Sequence, residues 1–286
     1  MNGSFTIKLL TTIEECQACE EVQKKVWGLP ERDIVPAHLL ITAAKNGGLL
    51  AGAFDPRGQM IGFVFGLLGC STAGLPGLKH CSHMLGVLEA DRDSGIGYAL
   101  KLAQREHVLS QGLDLVTWTY DPLEGRNAFF NFAKLGVICH TYEREVYGAM
   151  ADAFNVGLPS DRFTVEWWVR SDRVVQRLRD GPPPLHLATL IAEEAAQVLR
   201  TEPGANGLLV PLSYDLNLAQ PTLLAQIPES IQAIKGTDMG LAQEWRMATR
   251  AIFESYFARG YTALEFLSEH DERGRRNFYL LRKAGG

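Results

Sequence analysis

Long apolar runs are missing from this chain. Its longest apolar or glycine stretch, Met60 to Cys70, covers 11 residues, against the roughly 20 that cross a bilayer, so no membrane-spanning helix is expected. A basic excess is missing too. The 28 Lys and Arg are outnumbered by 33 Asp and Glu, a net charge of −5, and nothing concentrates the positive charge that phosphate backbones demand, so no nucleic-acid partner is expected. The five cysteines, Cys16, Cys19, Cys70, Cys81 and Cys139, are odd in number and scattered, which excludes a disulfide framework. Cys16 and Cys19 form a CxxC within a helical pattern, without a second pair or a histidine cluster, so no metal site is expected. The opening MNGSFTIKLLTTIEE lacks a charged segment, an apolar stretch and a small-residue cleavage site in sequence, and the expected location is cytoplasmic. What is present is the balance of a folded globular protein, 46% hydrophobic and 21% charged, in 286 residues, a length that suits two domains better than one.

The periodicity predicts a strand over Phe5 to Thr11, then a helix capped by Thr12 that runs to Trp27, and a short helix from Pro36 to Lys45. Asp55-Pro56-Arg57-Gly58 is a turn between two apolar runs, a β-hairpin whose second strand, apolar on both faces, belongs in the middle of a covered sheet. A loop at 72–78 leads to a strand from Lys79 to Leu88. A helix from Ile96 to Gly112, a strand from Leu113 to Tyr120, a helix from Glu124 to Leu135 and strands at Val137 to Tyr147 and Phe163 to Val169 follow. This order implies an α/β (α+β) fold with a mixed central sheet. Pro182-Pro183-Pro184 favours an extended backbone, which places a domain boundary there: 1–180 and 185–286. In the second part His186 to Arg200 reads as helix, Leu208 to Leu212 and Leu223 to Ile227 as strands, and Leu241, Trp245, Ala248, Ile252 and Tyr256 as one stripe of a long helix. Tyr261 to Ser268 and Asn277 to Arg282 close the chain as a hairpin around Glu269 to Arg276.

The chemistry-bearing segment is Leu85-Gly-Val-Leu-Glu-Ala-Asp-Arg92-Asp-Ser-Gly95-Ile-Gly97-Tyr98, a strand passing through a glycine turn into a helix. Such a turn aims backbone N–H groups outward, and with the positive end of the helix dipole it suits a phosphate or pyrophosphate. A tight connection with no ligand accounts equally well for the glycines. No Gly-Lys-Ser/Thr follows, and GxGxxG is absent.

Arg92, Gly95 and Gly97 resemble the acyl-coenzyme A motif of the GCN5-related N-acetyltransferase (GNAT) superfamily, Arg or Gln, two residues, Gly, one residue, Gly or Ala. The helix Arg126 to Gly136, closing in Lys-Leu-Gly, resembles a second signature of that family, and the likeness runs from Phe5 to about Val169. It implies a GNAT-type sheet flanked by helices, with acetyl-coenzyme A or another acyl-coenzyme A as cosubstrate. It further implies that Leu85, Gly86 and Val87 pair with the pantetheine arm, that Arg92, Asp93, Ser94, Gly95, Ile96, Gly97 and Tyr98 hold the pyrophosphate, and that amides near Val87 stabilise the developing oxyanion. Asn127 is a further candidate cofactor contact, although the family's asparagine aligns with Gly125.

Where many members have a tyrosine that protonates the leaving thiolate, this chain has Phe132, which has no proton to give. Tyr142 and Tyr120 are the candidate substitutes, although a tyrosine in such a place is more often an amphipathic packing residue. His83 shares strand parity with Leu85 and Val87, which puts it on their face as candidate general base, with a half-buried structural histidine as the alternative. The chain thus reads as an N-acyltransferase moving an acyl group to the amine of a small molecule, an amino acid among the candidates. A non-catalytic acyl-coenzyme A binding or interaction protein is the other reading, and homo-oligomerisation stays open. Finally, Arg250 to Gly260 echoes Arg126 to Gly136, so the smaller α/β C-terminal part is readable as a degenerate half-GNAT walling the acceptor site, with chance similarity of two amphipathic helices as the alternative.

Overall fold

The computed structural model describes residues 4–71, 77–150, 155–204, 206–271 and 274–283, so most of the expected 72–78 loop lies outside the described residues. The chain forms two compact units that divide after Trp118.

In the first unit, strand β1 (Thr6–Leu9), helices α1 (Ile13–Trp27) and α2 (Ala37–Lys45), strands β2 (Leu49–Phe54), β3 (Met60–Cys70) and β4 (Leu78–Val87), helix α3 (Ile96–Ser110) and strand β5 (Leu115–Tyr120) follow in order. The sheet runs β1-β2-β3-β4-β5, antiparallel as far as β4 and parallel at β5. Thr12 caps α1 through a reciprocal box with Glu15, and Gly28 ends it in the left-handed region at φ 66°. The doubly apolar β3 has its predicted place. Phe63 and Phe65 pack under α1 and α2 with the buried Cys16 and Cys19, while Ile61 and Val64 pack with Ile96 and Leu100 of α3 on the other face. Burial pushes the Cys19 thiol far up, so both CxxC cysteines serve as small apolar core residues.

Thr119 and Tyr120, the end of β5, belong to the second unit. There α4 (Gly125–Ala128) continues as a π-helical segment, Phe129–Leu135, followed by β6 (Ile138–Glu143), β7 (Arg162–Trp168), α5 (Asp172–Asp180), α6 (Leu187–Ala192), β8 (Ala196–Gln197), β9 (Leu199–Pro203), β10 (Leu209–Tyr214), β11 (Thr222–Ile227), α7 (Ile231–Thr237), α8 (Met239–Ala258), β12 (Tyr261–Asp271) and β13 (Gly274–Lys283). From the end of β5 the sheet order is β7-β6-β12-β13-β11-β8, with β9 and β10 as a separate hairpin. The expected boundary near residue 180 falls inside this unit. Arg177 of α5 forks onto the Glu265 carboxylate of β12 at 2.7 and 2.9 Å, and it also takes the Phe132 and Ala133 carbonyls left over at the end of the π-helical segment. Trp167 Nε1 donates to Leu135 O at 2.9 Å.

Two expectations are corrected here. His186 to Arg200 is helical only over α6, because Glu194 turns left-handed at φ 66° and the chain continues into β8 and β9. The charged stretch Glu269 to Arg276 is mostly strand, since β12 and β13 extend into it. The stripe on α8 stands: Leu241, Trp245, Ala248, Ile252 and Tyr256 are all buried. Among the described residues, no helix is long and apolar enough to cross a membrane.

Candidate active site

The unusual strand is β4. Along β3 its register shifts by one residue: Phe65 faces Met84 while Gly66 faces Ser82, which leaves His83 as the extra residue of a β-bulge. Along β5 it is paired only at His80↔Val116 and Cys81↔Thr117, so from Ser82 to Val87 the two parallel strands fork. A β4 edge without a ladder partner presents backbone donors and acceptors to whatever extended chain enters.

The bulge corrects the predicted orientation of His83. Leu85 and Val87 pack toward α3, and Ser82 and His80, on the other side of the bulge, also bond to α3 side chains. His83 instead meets Phe65 edge-on at 6.0 Å, on the sheet face that α1 and α2 cover. One inserted residue reverses the alternation, so counting by twos from Leu85 assigns the wrong face. The ring is exposed, while the protein around it lowers its pKa by partial burial.

Past Val87, a 3₁₀ turn (Glu89–Asp91) leads to Arg92, whose Nε donates to Val87 O at 3.4 Å. Ser94 Oγ donates to Asp91 O, and Asp93 takes a left-handed φ of 64°. Gly95 precedes α3 at φ 88°, and no side chain caps the helix, so the first amides of α3 have no capping side chain. A Cβ at Gly95 would meet nothing within 4 Å, and one at Gly97 only Leu85 Cδ2 at 3.7 Å. The predicted residues Arg92 to Tyr98 therefore form one turn with open space before it. Leu85, Gly86 and Val87 pair with Val64, Phe63 and Gly62 on their β3 side. Gly86 has a packing reason of its own, because a Cβ there would stand 2.8 Å from the Trp27 ring.

Beside the fork lies a buried polar cluster that the sequence reading missed. Lys101 Nζ donates to Ser82 Oγ at 2.9 Å and to Gln104 Oε1 at 3.0 Å, and lies 3.6 Å from the centre of the Trp118 ring. Gln104 Nε2 is 3.0 Å from His80 Nε2, leaving His80 Nδ1 buried without a partner among the described residues. Burial lowers Lys101 from 10.5 to about 7 and His80 from 6.5 to about 3, the latter with help from nearby His107 and Lys101. The available signal was Gln104, which interrupts the apolar series Ile96, Leu100, Val108 at four-residue spacing.

Tyr142, Asn127 and Phe132 belong to the second unit. The Tyr142 hydroxyl donates to Asp161 Oδ2 at 2.6 Å, and Asp161 is also gripped by Arg250 at 2.7 and 2.9 Å. Burial raises the phenol's pKa, so its proton is committed. Tyr120 is no freer: it is buried, with its hydroxyl 2.9 Å from that of Tyr279. Phe132 is fully buried against the Tyr279 ring. Asn127 is exposed on α4.

An antiparallel β1 to β4, a bulged β4 that forks from a parallel β5, an uncapped glycine turn into α3, and then β7 placed between β5 and β6 make a distinctive sheet order. The fold is of the GNAT type. No family model and no curated protein matches the chain. Among solved structures it is similar to the ribosomal-protein-S18-alanine N-acetyltransferase of Escherichia coli, at 13% identity over 59% of this chain and 96% of that one, TM-score 0.45. Chaetomium thermophilum Naa20 in complex with a bisubstrate analogue is similar at 14% identity over 60% of this chain and 90% of that one, TM-score 0.46. A GNAT family N-acetyltransferase from Escherichia coli in complex with CoA matches at 20% identity over 42% and 64%, TM-score 0.35. The sheet order, not these likenesses, carries the description of the fold.

Proposed function

We propose that this chain is an acyl-coenzyme A-dependent N-acyltransferase acting on the amine of a small molecule, with amino acids among the candidate acceptors. The observation that carries the reading is the uncapped, open turn at Gly95 standing at the end of a strand whose β5 edge is unpaired beyond Cys81. The E. coli GNAT structure in complex with CoA is in keeping with that choice of ligand. Acyl-coenzyme A, when bound, supplies an activated thioester carbonyl. The amides of Ile96 to Tyr98 would bind its pyrophosphate, helped by the α3 dipole. The edge of Leu85 to Val87, which has no β5 partner and whose Val87 carbonyl accepts from Arg92 Nε, would hold the pantetheine as an added strand. His83, held neutral near pH 7 by its lowered pKa, would accept a proton from the acceptor ammonium, directly or through water. Most of the rate would come from this positioning.

Release of free thiol from acetyl- and longer acyl-coenzyme A, measured against a panel of amines, tests the reading. Amine-dependent release is expected. Binding without turnover on any amine would favour the second reading, a non-catalytic acyl-coenzyme A binding protein, which Phe132 and the committed Tyr142 hydroxyl keep in play.

We further infer that residues 185–286 descend from a copy of the later GNAT elements. Strand, helix, strand, strand in the order β5, α4, β6, β7 recurs as β11, α8, β12, β13 with the short α7 inserted after β11, and β13 lies between β11 and β12 as β7 lies between β5 and β6. Even the fork has a counterpart, since β8 runs parallel to β11 at only Leu223↔Ala196 and Leu224↔Gln197. The β9–β10 hairpin occupies the sequence position of the glycine turn and α3, which supports a second half without a cofactor cradle.

A further inference from the structure

The Lys101 cluster is unusual in what surrounds the charge. Lysine is almost never fully buried without a carboxylate, yet Lys101 is 3% exposed and its contacts are the Ser82 hydroxyl, the Gln104 carbonyl oxygen and the Trp118 ring. The ammonium has three N–H groups, so each has an acceptor and the positive charge itself has no counter-ion among these groups. The other titratable groups facing it are also uncharged: Cys81 on β4, whose thiol burial pushes up, and His80, which burial keeps neutral. The Gln104 amide ties its own orientation to this arrangement, with Oε1 taken by Lys101 and Nε2 directed at His80 Nε2.

The cluster's place is as telling as its chemistry. Ser82 is the first β4 residue beyond the last β4–β5 pair, Cys81↔Thr117, and Trp118 is the next residue of β5. The cation therefore sits at the root of the fork, bonded to Ser82, the residue next to the bulge at His83. An uncompensated buried cation is stabilised by any negative charge that develops nearby. In the proposed reaction, that charge is the thiolate left on sulfur.

We propose that Lys101 is a positioning residue for the departing thiolate, supplying through the Ser82 hydroxyl the proton that Phe132 cannot give. This rests on the acyl-coenzyme A reading above. The balance closes. The acceptor nitrogen forms a bond to the acyl carbon, the carbon–sulfur bond breaks with its electron pair on sulfur, and Ser82 Oγ–H passes its proton to sulfur while taking one from Lys101 Nζ. The acceptor ammonium loses two protons on becoming an amide. One leaves through His83 to solvent, and the other balances the proton that Lys101 regains from solvent. A lysine titrating near 7 matches such a donor.

The test is the titration of the thiol of coenzyme A bound to the full-length protein, followed by thiolate absorbance, in wild type, Lys101→Met and Ser82→Ala. In the wild type, the bound thiol should ionise about one pH unit or more below its value in the Lys101→Met complex. Ser82→Ala, which removes one hydroxyl and keeps the cation, should slow turnover with acyl-coenzyme A while leaving KM unchanged, and Ser82→Thr should restore it. Coenzyme A bound with the same thiol titration in wild type and Lys101→Met would overturn the proposal alone. If Lys101→Met does not fold, normal turnover by Ser82→Ala overturns it. Failure of the wild type to bind coenzyme A at all would overturn the acyl-coenzyme A reading and this proposal with it.

Discussion

Replacing Lys101 by Met should remove a pH dependence from the folding stability, with the largest difference from the wild type at low pH. Lys101 is buried among neutral groups, and this lowers its pKa from 10.5 to about 7. In the unfolded chain the amine keeps its ordinary value, so between about 7 and 10.5 the unfolded state binds the extra proton and stability rises with pH. Above that window Lys101 is neutral in both states and costs nothing. Below it Lys101 is charged in both, and the folded state bears the full penalty, about 5 kcal/mol from the size of the shift. Met has nearly the same length and no titration. Urea unfolding of wild type and Lys101→Met from pH 6 to 10, taken as a difference at each pH, should therefore show the wild type gaining several kcal/mol on the variant across the window. Two parallel curves would mean instead that water or an unrecognised anion already compensates the charge and that Lys101 titrates alike in both states.

Other outcomes follow from the same geometry. His83→Ala should lower turnover by about two to four decades with little change in coenzyme A affinity, and most of the loss should return at high pH, where the acceptor amine deprotonates unaided; normal turnover at neutral pH would make His83 a structural residue. Gly66→Ala would put a Cβ 2.1 Å from His80 Nε2 and should cost about 1–3 kcal/mol by overpacking, read from the urea midpoint, with a smaller cost in a His80→Ala background. Arg177→Met leaves the Phe132 and Ala133 carbonyls without their donor and Glu265 with Arg173 alone, so unfolding should be easier by about 2–3 kcal/mol.

Much of the first unit was legible because its signals are local. Thr12 with Glu15, the Asp55 to Gly58 turn, the two-faced apolar β3 and the glycines after Val87 each fix a conformation within a few residues. The bulge at His83 is not local: it exists only as a register between β3 and β4, and it alone reversed the face on which His83 was placed. Lys101 was hidden for a related reason. A lysine on a helix reads as a solvated residue until β4 brings a serine and β5 a tryptophan against it. In the second unit, the three prolines suggested a boundary, but Arg177 reaching Glu265 and the carbonyls of the π-helical segment joins both sides of them in one core. The echo between the helices ending at Gly136 and Gly260 was visible as a spacing, whereas the recurring strand order needed the sheet.

Whether the open turn before α3 binds coenzyme A is decided by calorimetry on the wild type beside the Gly95→Val/Gly97→Val double variant. The wild type should bind, and the variant, whose side chains would fill the space before the Ile96 to Tyr98 amides, should lose affinity by about tenfold or more. Equal affinity in the two proteins, or no binding by either, would contradict it.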